Sequence, residues 1–375
     1  MRLIDDDGNL FGVVNVIDAL AVVLVLAVVV AGIAFVGVLG SEGEPETRYA
    51  TIDLGAQPDH IVDRVSEGDR MVAEGTDHDL TITDLYVSPA PAENSSDTHL
   101  TVRAQVDGER VYDDAREESV FEFAGERLRV GQSLTVETLE YEADGEVRAL
   151  DPDGESLSTE QTAVLLEATV PATTADEIDA GDEYRLSGSP VATVASVQPY
   201  PVDADERRVL VGVELTTLDR DGTPTFGGQS VSTGSTLALD MGAYDLEGEV
   251  VRRGATEEAG EPTTTRAEIE LEGVTPSVAN GLEEGMTETQ RGETLATIRA
   301  VDTRPAEVIL ESDDGDVHLR EHPRDQDVTL TVDLETRETD SGLRFHGDSL
   351  REGDTVTLDF GSRLVEGEVT GLERS

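Results

Sequence analysis

The sequence has no cysteine, no tryptophan and no lysine; all 27 of its basic residues are arginine. Without cysteine there are no disulfides, no thiolate zinc sites and no cysteine nucleophile. Positive charge is scarce throughout: 81 acidic residues against 27 arginines leave a formal net charge of -54. Nucleic acid is excluded as a partner, because phosphate binding requires a basic face. Such a charge strains a compact fold by self-repulsion. In molar salt the Debye length falls to about 3 Å and the repulsion is screened. Excess carboxylates without lysine therefore read as adaptation to brine and point to a halophilic archaeal source. The length of 375 residues allows two or three domains.

Charge is absent altogether from residues 19–40, which read ALAVVLVLAVVVAGIAFVGVLG. These 22 residues are enough to cross a bilayer core of about 30 Å. The run exceeds the roughly 7–15 residues of a signal-peptide core, and no A-x-A cleavage pattern follows it. No twin-arginine pair precedes it. The expectation is an uncleaved transmembrane helix at 19–40 behind a short tail at 1–18. Arg2 and the terminal amine precede the span, which favours the N-terminus inside and the bulk of the chain outside. Asn15 and Asp18 have the spacing of an N-cap and its third helical position, so both are candidates to cap the helix at the membrane edge. The sharper alternative for Asp18 is contact with a partner helix.

The run L-I-D-x-x-G-x-L-F-G-x-x-N-x-I-D-x-L at residues 3–20, followed by the apolar span, resembles the start of the domain-of-unknown-function 4330 family. The resemblance implies an anchored protein with a soluble domain and no assigned activity. A family member usually carries one such domain, whereas the remainder of this chain repeats.

Three copies of one pattern follow the span. Each opens on a strand pattern: Ala50-Thr51-Ile52, Ala163-Val164-Leu165 and Ala267-Glu268-Ile269. Sixteen residues past its third position stands Gly68, Gly181 or Gly285, and seven further on Gly75, Gly188 or Gly292. Ile61, Val62 and Val65 in the first copy form a short helical stripe. The second half reads F-x-G-x-x-[LV]-x-x-G-x-[ST]-[LV]-x-[LV], from Phe123, Phe226 and Phe345. It closes on Gly145-Glu146-Val147, Gly248-Glu249-Val250 or Gly367-Glu368-Val369. This half also resembles the soluble part of the same family.

The copies span residues 49–150, 162–254 and 265–374, with acidic, Ser/Thr-rich joints at 151–161 and 255–265. Each is long enough for its own core. Short Val/Leu/Thr runs broken by Gly and Asp predict a mainly β protein: three small β-barrel or sandwich-like domains of five to seven strands, each with a short helix after its first strand. The glycines read as turns needing φ > 0 or as bulges, and the repeated Phe as core.

Little here carries chemistry. The histidines are His60, His78, His99, His318, His322 and His346. His318-Leu319-Arg320-Glu321-His322 matches the H-x-x-E-H signature of inverted zinc metalloproteases. Pro323 ends the run, and strand-like segments flank it, so a hairpin is the expected setting. Three Asp-rich stretches, 151–154, 219–222 and 313–316, fall short of a calcium loop, and Asp-Gly is an ordinary hairpin turn. Asn94-Ser95-Ser96 is an N-glycosylation acceptor if the bulk is exported. No catalytic, metal or cofactor-binding residue is assigned, and no cofactor is expected. The expected function is a membrane-anchored cell-envelope protein whose extracytoplasmic β-domains bind or scaffold a protein or envelope polymer. The alternatives are an accessory subunit of an export or envelope-assembly complex, and a metal-dependent hydrolase.

Overall fold

The computed structural model describes residues 9–10, 14–15, 43–90, 98–113, 117–138, 141–311, 317–361 and 363–374. The span at 19–40, Asp18 and Asn94 lie outside them. Asn15 belongs to the two-residue strand β2 (Val14–Asn15), paired with β1 (Asn9–Leu10). No helix among the described residues is long and apolar enough to cross a membrane.

The rest of the chain is mainly β, in three barrel-like sheets. The first contains β3 (Glu44–Gln57), β4 (Arg70–Ala73), β5 (Asp79–Pro89), β6 (Thr98–Asp113), β7 (Glu118–Phe123), β8 (Glu126–Arg127), β9 (Ser133–Glu137) and β10 (Glu142–Asp151). The second contains β11 (Thr159–Pro171), β12 (Glu183–Leu186), β13 (Ser189–Pro201), β14 (Glu206–Arg220), β15 (Thr223–Phe226), β16 (Gln229–Ser230), β17 (Thr236–Asp240) and β18 (Asp245–Arg253). The third contains β19 (Glu261–Val274), β20 (Thr287–Gln290), β21 (Glu293–Glu311), β22 (Val317–Thr339), β23 (Gly342–Phe345), β24 (Asp348–Ser349), β25 (Thr355–Asp359) and β26 (Leu364–Arg374). One short helix follows each opening strand: α1 (Asp59–Val62), α2 (Ala172–Glu177) and α3 (Pro276–Ala279).

Each sheet has 8 strands, more than the five to seven expected, because each F-x-G segment forms its own hairpin. All three share one strand order. In the first, β4-β5-β6-β3-β10-β9 closes on itself through the β4–β9 ladder. The second and third repeat this path as β12-β13-β14-β11-β18-β17 and β20-β21-β22-β19-β26-β25, without a ladder between its ends.

The repeated glycines have two different causes. Gly131, Gly234 and Gly353 sit at φ 82°, 89° and 90°. There each donates its N–H to the carbonyl of Val147, Val250 or Val369 at 2.7, 2.9 and 2.8 Å. A side chain at that φ would be strained. The glycine of G-E-V is not left-handed. A Cβ on Gly145 would stand 2.7 Å from Ile52 Cγ2, and one on Gly367 2.6 Å from Ile269 Cγ2. The opening strand packs directly on this backbone. Phe123, Phe226 and Phe345 are buried in their domains, at 4, 3 and 5 % exposure.

The ladders correct one alignment. Leu166, not Leu165, is the counterpart of Ile52 and Ile269. It faces Val211 and Val250, as Ile52 faces Val102 and Val147 and Ile269 faces Leu330 and Val369. The stretch to Gly181 is thus one residue shorter in the second copy. A one-residue slip in a strand exchanges faces, so Leu165 points away from its own core. It is nonetheless buried, in a separate cluster with Tyr200, Leu210 and the third copy's Leu295. The second and third copies form one compact unit from Thr159 onward, while the first copy, up to Ser158, belongs to another.

The acidic joints are held by side-chain contacts. After the first domain, Arg103 donates to the carbonyls of Gly154 (2.9 Å) and Asp153 (3.3 Å) and pairs with Asp151 at 2.9 Å. Thr83 caps Glu155 O at 2.6 Å. After the second domain, Ser196 donates to Thr256 O at 2.5 Å, and Tyr200 to Glu258 at 2.6 Å. Each joint folds back over the outer face of the domain it leaves.

Candidate functional site

The joint between the second and third domains holds a cleft of about 650 Å³. β13 forms one wall, and the β20–β21 turn, β22 and β23 form the other. β13 reaches it because its last residues, Gln198 to Pro201, run on past the core while still paired to β14. The Tyr200 ring stacks on His346 of the third domain at 4.9 Å and 22°, and His346 stacks on Phe345 at 3.7 Å. Arg208 donates to the His346 carbonyl and pairs with Asp348 at 2.5 Å. Arg291 reaches back to the Ala175 carbonyl at 3.1 Å and to Asp179 at 2.9 Å.

His346 is placed by the F-x-G turn. Phe345 and Asp348 pair across it, with His346 at φ 50° and Gly347 at φ 82°. Both central residues are left-handed, as in a type I′ hairpin. A non-glycine side chain in this conformation is uncommon. The other copies have Ala124 and Gly227 at this position, so the imidazole is particular to the third.

Beneath it lies Glu288, fully buried, with Oε1 3.2 Å from His346 Nε2. The pair is at ion-pairing distance but out of hydrogen-bond alignment, and among the described residues neither Glu288 oxygen has another protein donor. A buried carboxylate is costly without a partner, and His346 is the ring that faces it. The first copy fills the same ladder position with Met71, fully buried, and the second with Tyr184. Nearby, burial and then the Glu258 carboxylate push the Tyr200 phenol far above its usual value.

A second polar pair lies in the first domain. Asp53 Oδ1 is 2.8 Å from His99 Nε2, and Asp53 Oδ2 is 3.4 Å from Arg148 Nε. Asp53 and His99 are both 8 % exposed. The pair sits at the β3 bulge beside a cleft of about 580 Å³ that Ser133 and Glu146 also line.

The H-x-x-E-H run lies in strand β22, where Leu310 faces His318 and Glu307 faces Glu321 across a hairpin. Metalloprotease chemistry needs a helix there. His322 Nδ1 accepts the Asp325 N–H at 2.8 Å. His60 lies in α1, and His78 meets the Phe123 ring edge-on at 5.8 Å. Among the described residues, no group of three or more His, Asp or Glu is placed to hold a metal ion. Asp221-Gly222 forms the β14–β15 turn, at φ 53° and 82°. Asp151 and Asp153 bind Arg103 as described, and residues 313–316 lie outside the described residues.

Sequence reasoning missed Glu288 and Tyr200. Glu288 is one of 81 acidic residues, and nothing local distinguishes it. A signal for the joint was present in Val164-Leu165-Leu166 and Val209-Leu210-Val211, where unbroken apolar runs mark strands covered on both faces.

The fold and its joint define a tandem array of small barrel-like domains, the second and third packed against each other. The chain belongs to the Domain of unknown function (DUF4330) family, whose pattern matches residues 1–151 and 252–373. The second copy falls between the matched stretches, and its strand order identifies it as the same fold. No curated protein and no solved structure matches the chain.

Proposed function

We propose that this is a membrane-anchored cell-envelope protein whose three extracytoplasmic barrel-like domains serve as a non-catalytic binding or scaffolding module. The joint of the second and third domains carries this reading. Leu165, Leu210 and Tyr200 face outward from one domain and are buried against the next. The result is a fixed two-domain surface around a cleft, which suits holding a partner. The uncharged run at 19–40 supports the anchor, and the net charge of -54 supports a salt-rich exterior. The partner is a protein or an envelope polymer.

The test is fractionation combined with protease accessibility. Full-length protein is expected in membranes after a high-salt wash, with the β-domains cleaved by protease added to intact cells. A soluble form starting near residue 41, or domains protected until the cells are lysed, would sink the reading.

A further inference from the structure

Arg337 on β22 and Arg344 on β23 are direct partners across an antiparallel ladder, and both line the cleft. Side chains so placed have Cβ atoms about 4.5–5.5 Å apart, and like charges there destabilise the pair. Both are half-buried. Their hydrogen-bond partners are backbone carbonyls: Arg337 donates to Gly260 O at 3.1 Å and Arg344 to Gly347 O. Among the described residues neither guanidinium pairs with a carboxylate, in a chain with 81 of them.

The same strand shows the alternative. Four residues earlier Asp333 stands between Arg266 and Arg299, at 2.8 and 2.6 Å, and pairs with both. In the cleft, Glu258 is taken up by Tyr200 at 2.6 Å, and Glu335 by Thr264 at 3.0 Å. Glu293 is exposed. Two facing guanidiniums with unused donors make a fork-shaped donor site for the oxygens of a carboxylate or sulfate. Gln198, Gln290 and Thr294 line the same cleft and offer both donors and acceptors.

We propose that this cleft binds an oxyanion carried on a hydroxylated ligand, a uronate or sugar-sulfate unit, with Arg337 and Arg344 holding the anion and the amides and hydroxyl reading the sugar. The inference rests on the binding reading above and names its ligand.

The test is calorimetric titration of the full-length protein, taken from membranes into detergent at molar sodium chloride. The probes are a glucuronate oligosaccharide, inorganic sulfate and neutral cellobiose. The acidic saccharide saturates, and Arg337→Gln and Arg344→Gln each weaken it by about tenfold or more, as loss of a charge-assisted contact requires. Arg344→Lys, which keeps the charge and loses the fork, falls between. Arg351→Gln, outside the cleft, changes nothing. Sulfate binding that the same variants abolish, without saccharide binding, supports the anion site with the free ion as its source. No saturable binding, equal binding of cellobiose, or binding unchanged in an Arg337→Gln, Arg344→Gln double variant overturns the site. Membrane-derived protein that fails this way leaves the scaffolding reading standing, because localisation is not what the titration reads.

Discussion

Replacing Tyr200 probes whether the second and third domains act as one body. The side chain is 8 % exposed, its ring covers His346 at 4.9 Å, and its hydroxyl donates to Glu258 at 2.6 Å. Truncating a buried aromatic to alanine costs about 3–5 kcal/mol. In a unit of roughly 150–250 residues each kcal/mol moves Tm by about 2–4 °C, so Tyr200→Ala should lower it by about 6–20 °C. Because the loss falls on the joint, a shared transition for the two domains should broaden or split. Tyr200→Phe keeps the stack and strips the partner from Glu258, at about 1–3 kcal/mol. The phenol adds a pH signature. Its folded pKa lies above the ordinary value of 10.0, so its contribution is fully present below pH 10 and is lost as pH rises. Tyr200→Phe should therefore flatten the alkaline fall in stability. Scanning calorimetry of the full-length protein in molar salt, from neutral pH to above pH 10, reads all of this. A Tyr200→Ala protein that melts like the parent would refute the joint, and a Phe variant as damaged as the Ala variant would refute the stacking term.

Phe226, 3 % exposed, should lose about 3–5 kcal/mol on truncation to alanine, measured by denaturant unfolding; a loss under about 1 kcal/mol would show that the ring is not core. Gly145→Ala should cost about 1–3 kcal/mol by overpacking, with part recovered when Ile52→Leu removes the Cγ2 that the new Cβ meets at 2.7 Å; no recovery in the double variant would place the cost elsewhere. With a net charge of -54, the β signal in circular dichroism should be lost below a few hundred millimolar salt; unchanged stability in dilute buffer would show that the fold does not need its salt. Protein purified without chelator should carry no stoichiometric zinc, since strand positions four apart lie about 13 Å from each other; zinc that vanishes in a His318→Ala, His322→Ala variant would reverse that.

The repeat was readable because turn glycines and core phenylalanines are fixed by backbone geometry within each copy. Gly131, Gly234 and Gly353 must be left-handed whatever surrounds the domain, so their spacing survived. What the sequence could not disclose is set between elements. The extra hairpin strands are two residues long, too short for a period-2 pattern to register. The slip from Leu165 to Leu166 was hidden because both are leucine and both are buried, one in its own core and the other against the third domain. Glu288 and His346 lie far apart in sequence and meet only because a type I′ turn aims one at the other. Arg337 and Arg344 needed the β22–β23 register to be seen as opposed.

Along the central strand the copies agree on the inside and differ on the outside, and the difference has a direction. At one outward position of the central strand the first copy carries Thr101, the second Leu210 and the third Thr329, facing Asp53, Glu167 and Glu270 respectively. Thr101 is fully buried beside Arg103, which holds the first copy's own joint. Leu210 is 2 % exposed, against the third domain. Thr329 stays partly exposed. A row of side chains that stabilised only its own barrel would alternate alike in all three copies, as the inner row does. Leucine in the second copy alone is explained by what that domain must touch, since an exposed apolar face without a partner is an association liability. The second and third domains have thus specialised as a pair. The residues that separate them from the first copy, Tyr200, Leu210, Glu288, Arg337 and His346, gather along their shared joint.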